Sequence, residues 1–122
     1  FIGKLFNTTE VDGALIPFFG MQSAADIHDE KFHPLFEDAS PINHLTKDDP
    51  PAFFHYRQAN TPLPPDSRGG RHIHHPKFGL VLKKKMDALG IECTVRLAED
   101  CPRFPVDEVA AFFFRHFEME EK

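Results

Sequence analysis

One amphipathic helix between two short apolar segments constrains the fold of this sequence more than any other feature. The apolar segments, residues 52–56 and 93–97, have the length of strands, and the helix is predicted over 78–89. Four apolar residues of that helix share one face: Phe78, Leu82, Met86 and Leu89. A strand, a helix and a second strand in this order predict two parallel strands joined by a right-handed crossover.

Two further elements extend this pattern. Residues 11–19 are another apolar run, closed by Gly20, and they predict another buried strand. A second helix is predicted over 106–117, because Pro105 suits its start and acidic residues follow in its first turn. The predicted fold class is therefore α/β, with three layers in which helices flank a parallel sheet of about three strands.

Length, charge and cysteine usage exclude several classes of protein. The 122 residues fit a single domain over 1–122, and a formal net charge of −5 without a basic stripe argues against nucleic-acid binding. No apolar run reaches the roughly 20 residues of a membrane span, and the first residues lack a secretion signal. Cys93 and Cys101 match no zinc motif and predict free thiols. We therefore expect a cytoplasmic protein that needs no cofactor and binds neither membrane nor nucleic acid.

A series of short motifs resembles a known family. Residues 39–45 read Ala-Ser-Pro-Ile-Asn-His-Leu, and residues 48–55 read Asp-Asp-Pro-Pro-Ala-Phe-Phe-His. This series resembles the α/β-hydrolase family, in particular its acetylesterase and lipase-like branch, where such a turn precedes a proline pair and a buried strand. Residues 82–92 are similar to the family's penultimate helix, and residues 11–20 to the strand after the nucleophile helix. The resemblance covers nearly the whole chain and implies the C-terminal half of the family's fold.

The resemblance also implies where catalytic residues would lie, and those positions lack the necessary groups. Acyl transfer needs a serine nucleophile, a histidine base and an acid that orients the histidine. The family's acid position falls on Asn60, which has no charge, and its base position falls on Pro102 or Arg103, which cannot act as a base at neutral pH. The serines do not stand in G-x-S-x-G, and the family places its nucleophile upstream of this chain: Ser23, Ser40, Ser67. The resemblance therefore implies no catalytic residue here.

Several functions remain open at this stage. The first is a non-catalytic or incomplete α/β-hydrolase-like protein that acts by association or as part of a larger hydrolase. The second is an active carboxylesterase or lipase whose nucleophile lies outside this chain. The third is a small flavodoxin-like binding domain, although the loops after the predicted strands contain no glycine-rich phosphate cradle.

A partner is expected from the predicted sheet. In the complete family fold, the strand from Val11 to Phe19 pairs on its other side with the strand that leads into the nucleophile. Without that neighbour its apolar edge would be bare, and bare edges recruit other chains. We therefore predict a homodimer, or a partner chain that covers the edge near Val11–Phe19.

Three histidines are candidates for metal ligands or structural groups. His72 and His74 would share a side of an extended segment and could hold a Zn²⁺ or Cu²⁺ ion. No cysteine or carboxylate close in sequence completes the ligand set, so a solvated loop is favoured and no metal site is predicted. His55, at the end of a predicted strand, is predicted to be a hydrogen-bonded structural residue.

Overall fold

The computed structural model of the chain describes residues 5, 8 and 10–117. These residues fall into two compact units. The first, called the helical unit, lies within residues 1–45 and 61–75, and the second, called the sheet unit, lies within 46–60 and 76–122. The single domain predicted over 1–122 stays a prediction.

The helical unit consists of short helices joined by turns. Its α-helices are α1 (Leu15–Phe18), α2 (His33–Asp38) and α3 (Gly69–Ile73), and its 3-10 helices are Ala24–His28, Glu30–Phe32 and Pro41–Asn43. Its apolar core is formed by Val11, Met21, Ile27, Phe32 and Phe36. The ring of Phe36 meets that of Phe19 edge-on, with centroids 4.8 Å apart, and such aromatic pairs add to the stability gained by burial.

The prediction of a strand over residues 11–19 is wrong. Helix α1 forms there because a carboxylate oxygen of Asp12 accepts the Ala14 N–H at 3.0 Å, while its carbonyl accepts the Leu15 N–H at 2.9 Å. Pro17 fits the first turn of a helix, where its missing N–H is not needed. The edge strand from Val11 to Phe19 that was to recruit a partner therefore does not exist.

The sheet unit confirms the strand, helix and strand order predicted from the sequence. Strand β1 (Ala52–Tyr56) and strand β2 (Cys93–Leu97) are parallel, in a register that pairs Ala52 with Cys93 and Tyr56 with Leu97. Helix α4 (Lys77–Leu89) connects them, and helix α5 (Val106–Phe117) follows β2. The sheet has two strands in the part of the chain that the structure describes, instead of the predicted three.

Each face of the sheet carries one helix, which gives the sheet unit its three layers. Tyr56 points towards α4 and packs so closely that a Cβ at Gly79 would lie 2.5 Å from its ring. On the opposite face, Phe53 packs edge-on against Phe112 of α5, with ring centroids 5.7 Å apart. The fold of this unit is thus mixed α/β, and the side-chain alternation of the strands explains why neighbouring residues face different helices.

No helix among the described residues has both the length and the apolar character needed to cross a bilayer.

Candidate functional site

The loops that follow β1 and β2 meet at the carboxyl ends of the two parallel strands. The backbone N–H of Asn60 donates to a carboxylate oxygen of Glu99 at 2.7 Å. The ring Nε2 of His55 lies 2.9 Å from the carbonyl oxygen of Cys101. This edge is where ligands bind in open α/β sheets, so we take these two loops as the candidate functional site.

His55 holds the second loop in place. A carbonyl oxygen only accepts, so the short contact with Cys101 requires a proton on Nε2, and the imidazole is the donor. The same ring packs edge-on against Phe104, with centroids 5.6 Å apart. The predicted structural hydrogen bond of His55 is therefore present. Its role is to join β1 to a loop 46 residues further along the chain.

Asn60, where the resemblance would place an acid, carries no carboxylate. Asn60 is exposed, and its side chain is an uncharged amide. The nearby carboxylate is that of Glu99, whose pKa is lowered because it accepts the Asn60 backbone N–H. Among the described residues, the hydrogen bonds of Glu99 go to backbone groups and not to an imidazole. The carboxylate stabilises the loop and does not orient a base.

Pro102 and Arg103, where the resemblance would place a base, carry no imidazole. Pro102 and Arg103 are both exposed in the turn after β2. The thiol of Cys101 donates to the carbonyl oxygen of Arg103 at 3.2 Å, which fixes the shape of this turn. Proline has no ionisable group and arginine stays protonated, so neither residue can accept a proton from a nucleophile.

The serines of the chain lie in the helical unit. Ser23 is exposed at the start of a 3-10 helix. The hydroxyl of Ser40 donates to the carbonyl oxygen of Phe36 at 2.5 Å, and Ser67 is buried. None of them stands on a turn from a strand into a helix, which is the position of the family's nucleophile.

The structure separates the two candidate metal ligands, His72 and His74. They do not lie on an extended segment, because α3 ends at Ile73 and carries His72, while His74 follows at its C-cap. His72 is 0% exposed and His74 is exposed. Residues two apart on a helix point to different sides, so the expected shared side is wrong. Among the described residues, no group of three or more His, Cys, Asp or Glu side chains is arranged to hold a metal ion.

His72 is important for stability because its ring is buried. Its pKa is lowered, first because burial disfavours the charged ring and also because His75 and Arg71 repel that charge. A hydrogen bond with the Arg68 backbone and the charge of Glu10 act in the opposite direction and offset part of the effect. His72 is therefore neutral at neutral pH. The sequence favours a solvated loop for this residue, because nothing in the local sequence indicates that the segment is buried.

The lowered pKa of His72 predicts acid sensitivity of the helical unit. Below the unfolded pKa of about 6.5 the unfolded chain binds the proton more readily than the folded one. The stability from neutral His72 is thus complete above that pH and is lost as the pH falls below it. We expect the melting temperature to fall between pH 7.5 and pH 5.5.

A pair of variants isolates the contribution of His72. His74→Gln, at an exposed position, should keep the full pH dependence of the melting temperature. His72→Gln should reduce that dependence, whatever it does to the stability at neutral pH. Equal pH dependence in the two variants would contradict this explanation.

Comparisons of the chain with models of known protein families, with curated proteins and with solved structures gave no match in any of the three.

Proposed function

We propose that this chain is a non-catalytic, α/β-hydrolase-like protein segment that acts by association rather than by hydrolysis. The order of β1, α4, β2 and α5, with one helix on each face of a parallel sheet, is compatible with the C-terminal half of that fold. A parallel sheet is normally larger and buried. In the described residues each strand has one neighbour and one unpaired edge, which favours association with another chain.

The observation that carries the proposal is the chemistry of the two loops at the strand ends. The Asn60–Glu99 hydrogen bond joins the two loops, and the His55–Cys101 hydrogen bond attaches the second loop to β1, so the residues of the candidate site are held in place. At this site the residues in the acid and base positions are an amide and a proline or arginine. A serine hydrolase needs an imidazole that accepts the hydroxyl proton and an anion that stabilises the resulting imidazolium. These groups are lacking at the positions that the resemblance indicates.

The proposal predicts that folding adds nothing to ester hydrolysis. The chain contains 8 histidines, and free imidazole hydrolyses p-nitrophenyl acetate slowly, so the folded chain must be compared with the same chain unfolded in urea. We expect the rates of the folded and unfolded chains, corrected for the effect of urea on free imidazole, to agree within about a factor of two. A working catalytic triad would instead make the folded chain faster by many orders of magnitude.

Asn60→Asp supplies the matched control for this assay. The variant restores a carboxylate at the acid position, but no imidazole stands at the base position to use it, so its rate should equal that of the wild type. A folded chain that hydrolyses the ester more than a hundred times faster than the unfolded chain would refute the proposal.

A further inference from the structure

Helix α5 has two apolar faces, of which one is used within the sheet unit. The inner face carries Phe112, which is 6% exposed and packs on Phe53. His116 lies on the same side, with its ring centroid 4.6 Å from that of Phe112. This face fixes α5 to the sheet and accounts for the amphipathic pattern seen in the sequence.

The second face is apolar and, apart from the half-buried Ala110, exposed. It consists of Val106, Ala110, Phe113 and Phe117, which are called the outer seam here. Their spacing of i, i+4, i+7 and i+11 is the a/d spacing of paired helices. Val106 is 64% exposed, Phe113 47% and Phe117 66%. The rings of Phe113 and Phe117 stack at 5.7 Å and form one continuous surface.

We propose that the outer seam of α5 docks against the outer seam of a second copy of this chain, with the two helices antiparallel. The proposal deepens the proposed function, on whose premise of association it rests. It names the partner and the surface. A second copy fits the seam because the seam is complementary to itself.

The seam is complementary to itself under a two-fold axis. When two antiparallel helices are centred between Ala111 and Phe112, Val106 of one copy faces Phe117 of the other. In the same arrangement Ala110 faces Phe113. Each large ring thus meets a smaller side chain, which is how paired helices pack without voids or overlap. The opposed helix dipoles also favour the antiparallel order.

Two charged side chains of α5 lie on the side of the helix away from the seam and are directed towards the sheet unit. Arg115 pairs with Glu92, with nitrogen and oxygen 2.5 Å apart, and Glu108 pairs with Arg96 at 2.7 Å. At about 3.6 residues per turn, Glu108 and Arg115 point away from the seam, and their ion pairs hold them on that side. A second copy therefore approaches the seam without having to desolvate them, a cost that commonly opposes association.

The apolar area available suits a reversible dimer. A helix of 12 residues is about 18 Å long at ~1.5 Å per residue. The seam and the neighbouring exposed rings of Phe104 and Phe114 together offer roughly 500 Å² per copy. Specific interfaces begin at about 600 Å² per partner. The seam together with a small polar rim therefore reaches the lower end of the size range of specific interfaces. We expect a dissociation constant of the dimer in the micromolar range.

Sedimentation of the full chain and two matched variants tests the surface. Phe113→Lys places a charge at the centre of the seam and should raise the dissociation constant at least about 30-fold, as expected for a central contact residue. Val81→Lys makes the same kind of change at another exposed helical position, 40% exposed on α4, and should leave the dimer intact. Far-ultraviolet circular dichroism checks that both variants are folded. A wild type that stays monomeric at several hundred micromolar would overturn the proposal, as would a dimer that Phe113→Lys does not weaken.

Disulfide cross-linking tests the orientation without relying on a destabilising charge. In a background with Cys93→Ala and Cys101→Ser, a mixture of the Val106→Cys and Phe117→Cys chains should form a mixed disulfide. Val106→Cys by itself should not, because two antiparallel copies of this residue lie about 16 Å apart along the helices and a disulfide needs Cα atoms within about 7 Å. Efficient cross-linking of Val106→Cys by itself would refute the antiparallel arrangement.

The outcomes for the two proposals are distinct. A monomer without esterase activity would refute the second copy and leave the non-catalytic assignment standing. An active esterase that also dimerises through α5 would refute the proposed function and leave the docking surface standing.

Discussion

Gly69→Ala is expected to unfold the helical unit, whereas Gly70→Ala, one residue further along the same helix, should leave it folded. A Cβ at Gly69 would lie 2.2 Å from the carbonyl carbon of Val11 and 2.3 Å from the backbone nitrogen of Asp12. Backbone atoms cannot rotate out of the way as a side chain can. We therefore expect a cost of at least about 3 kcal/mol, at the upper end of what overpacking causes.

The position of Gly70 makes it the matched control. The nearest atom to its Cβ would be a carboxylate oxygen of Asp12, 3.8 Å away, which is ordinary contact. Because alanine favours the helix over glycine, Gly70→Ala should be neutral or stabilising by up to about 1 kcal/mol. Urea denaturation of both variants measures the difference. Equal stabilities would contradict the close approach of α3 to the segment at Val11.

Phe112→Ala should have the largest effect on the sheet unit. Its ring is 6% exposed and connects α5 to Phe53 of β1. Truncation of such a buried ring typically costs about 3–5 kcal/mol, because burial is lost and a cavity remains. We expect a clear fall in melting temperature and separation of α5 from the sheet.

Phe114→Ala controls for the loss of an aromatic ring from the same helix. This ring is 45% exposed, so its removal should change the stability by less than about 1 kcal/mol. The comparison must be made at concentrations below those at which the chain dimerises, because Phe114 flanks the proposed interface. A similar loss of stability in both variants would show that α5 does not pack through Phe112.

Local patterns were sufficient to predict the sheet unit. The bounds predicted for β1, β2 and α5 agree with the structure, and α4 begins one residue earlier than predicted, at Lys77. These elements are short apolar runs or amphipathic helices with clear start and stop signals, so few alternative secondary structures fit the same residues.

The helical unit was predicted poorly for a physical reason. Residues 11–19 form an apolar run too short to distinguish a buried strand from a helix by its pattern. The hydrogen bonds that Asp12 accepts from Ala14 and Leu15 stabilise the helix. At Gly69–Ile73, two glycines disfavour a helix locally, but the close approach to Val11 requires glycine at position 69. Such contacts between distant segments leave no signal in a single sequence.

The candidate site was predicted in part. The sequence indicated which residues follow the strands, including Asn60, Pro102 and Arg103, because they come directly after β1 and β2. It did not indicate that Glu99 would accept the Asn60 N–H, or that His55 would donate to Cys101. Both contacts join residues about 40 positions apart and depend on the parallel register of the strands.

Labelling of the native chain with a fluorophosphonate tests the central claim most directly. This reagent reacts with a serine only where a base activates the hydroxyl and an oxyanion site assists the attack. We predict no labelling of Ser23, Ser40 or Ser67 beyond the level seen with the unfolded chain. Rapid stoichiometric labelling of any of these serines in the folded chain, abolished by unfolding, would contradict the claim that this chain carries no hydrolase chemistry of its own.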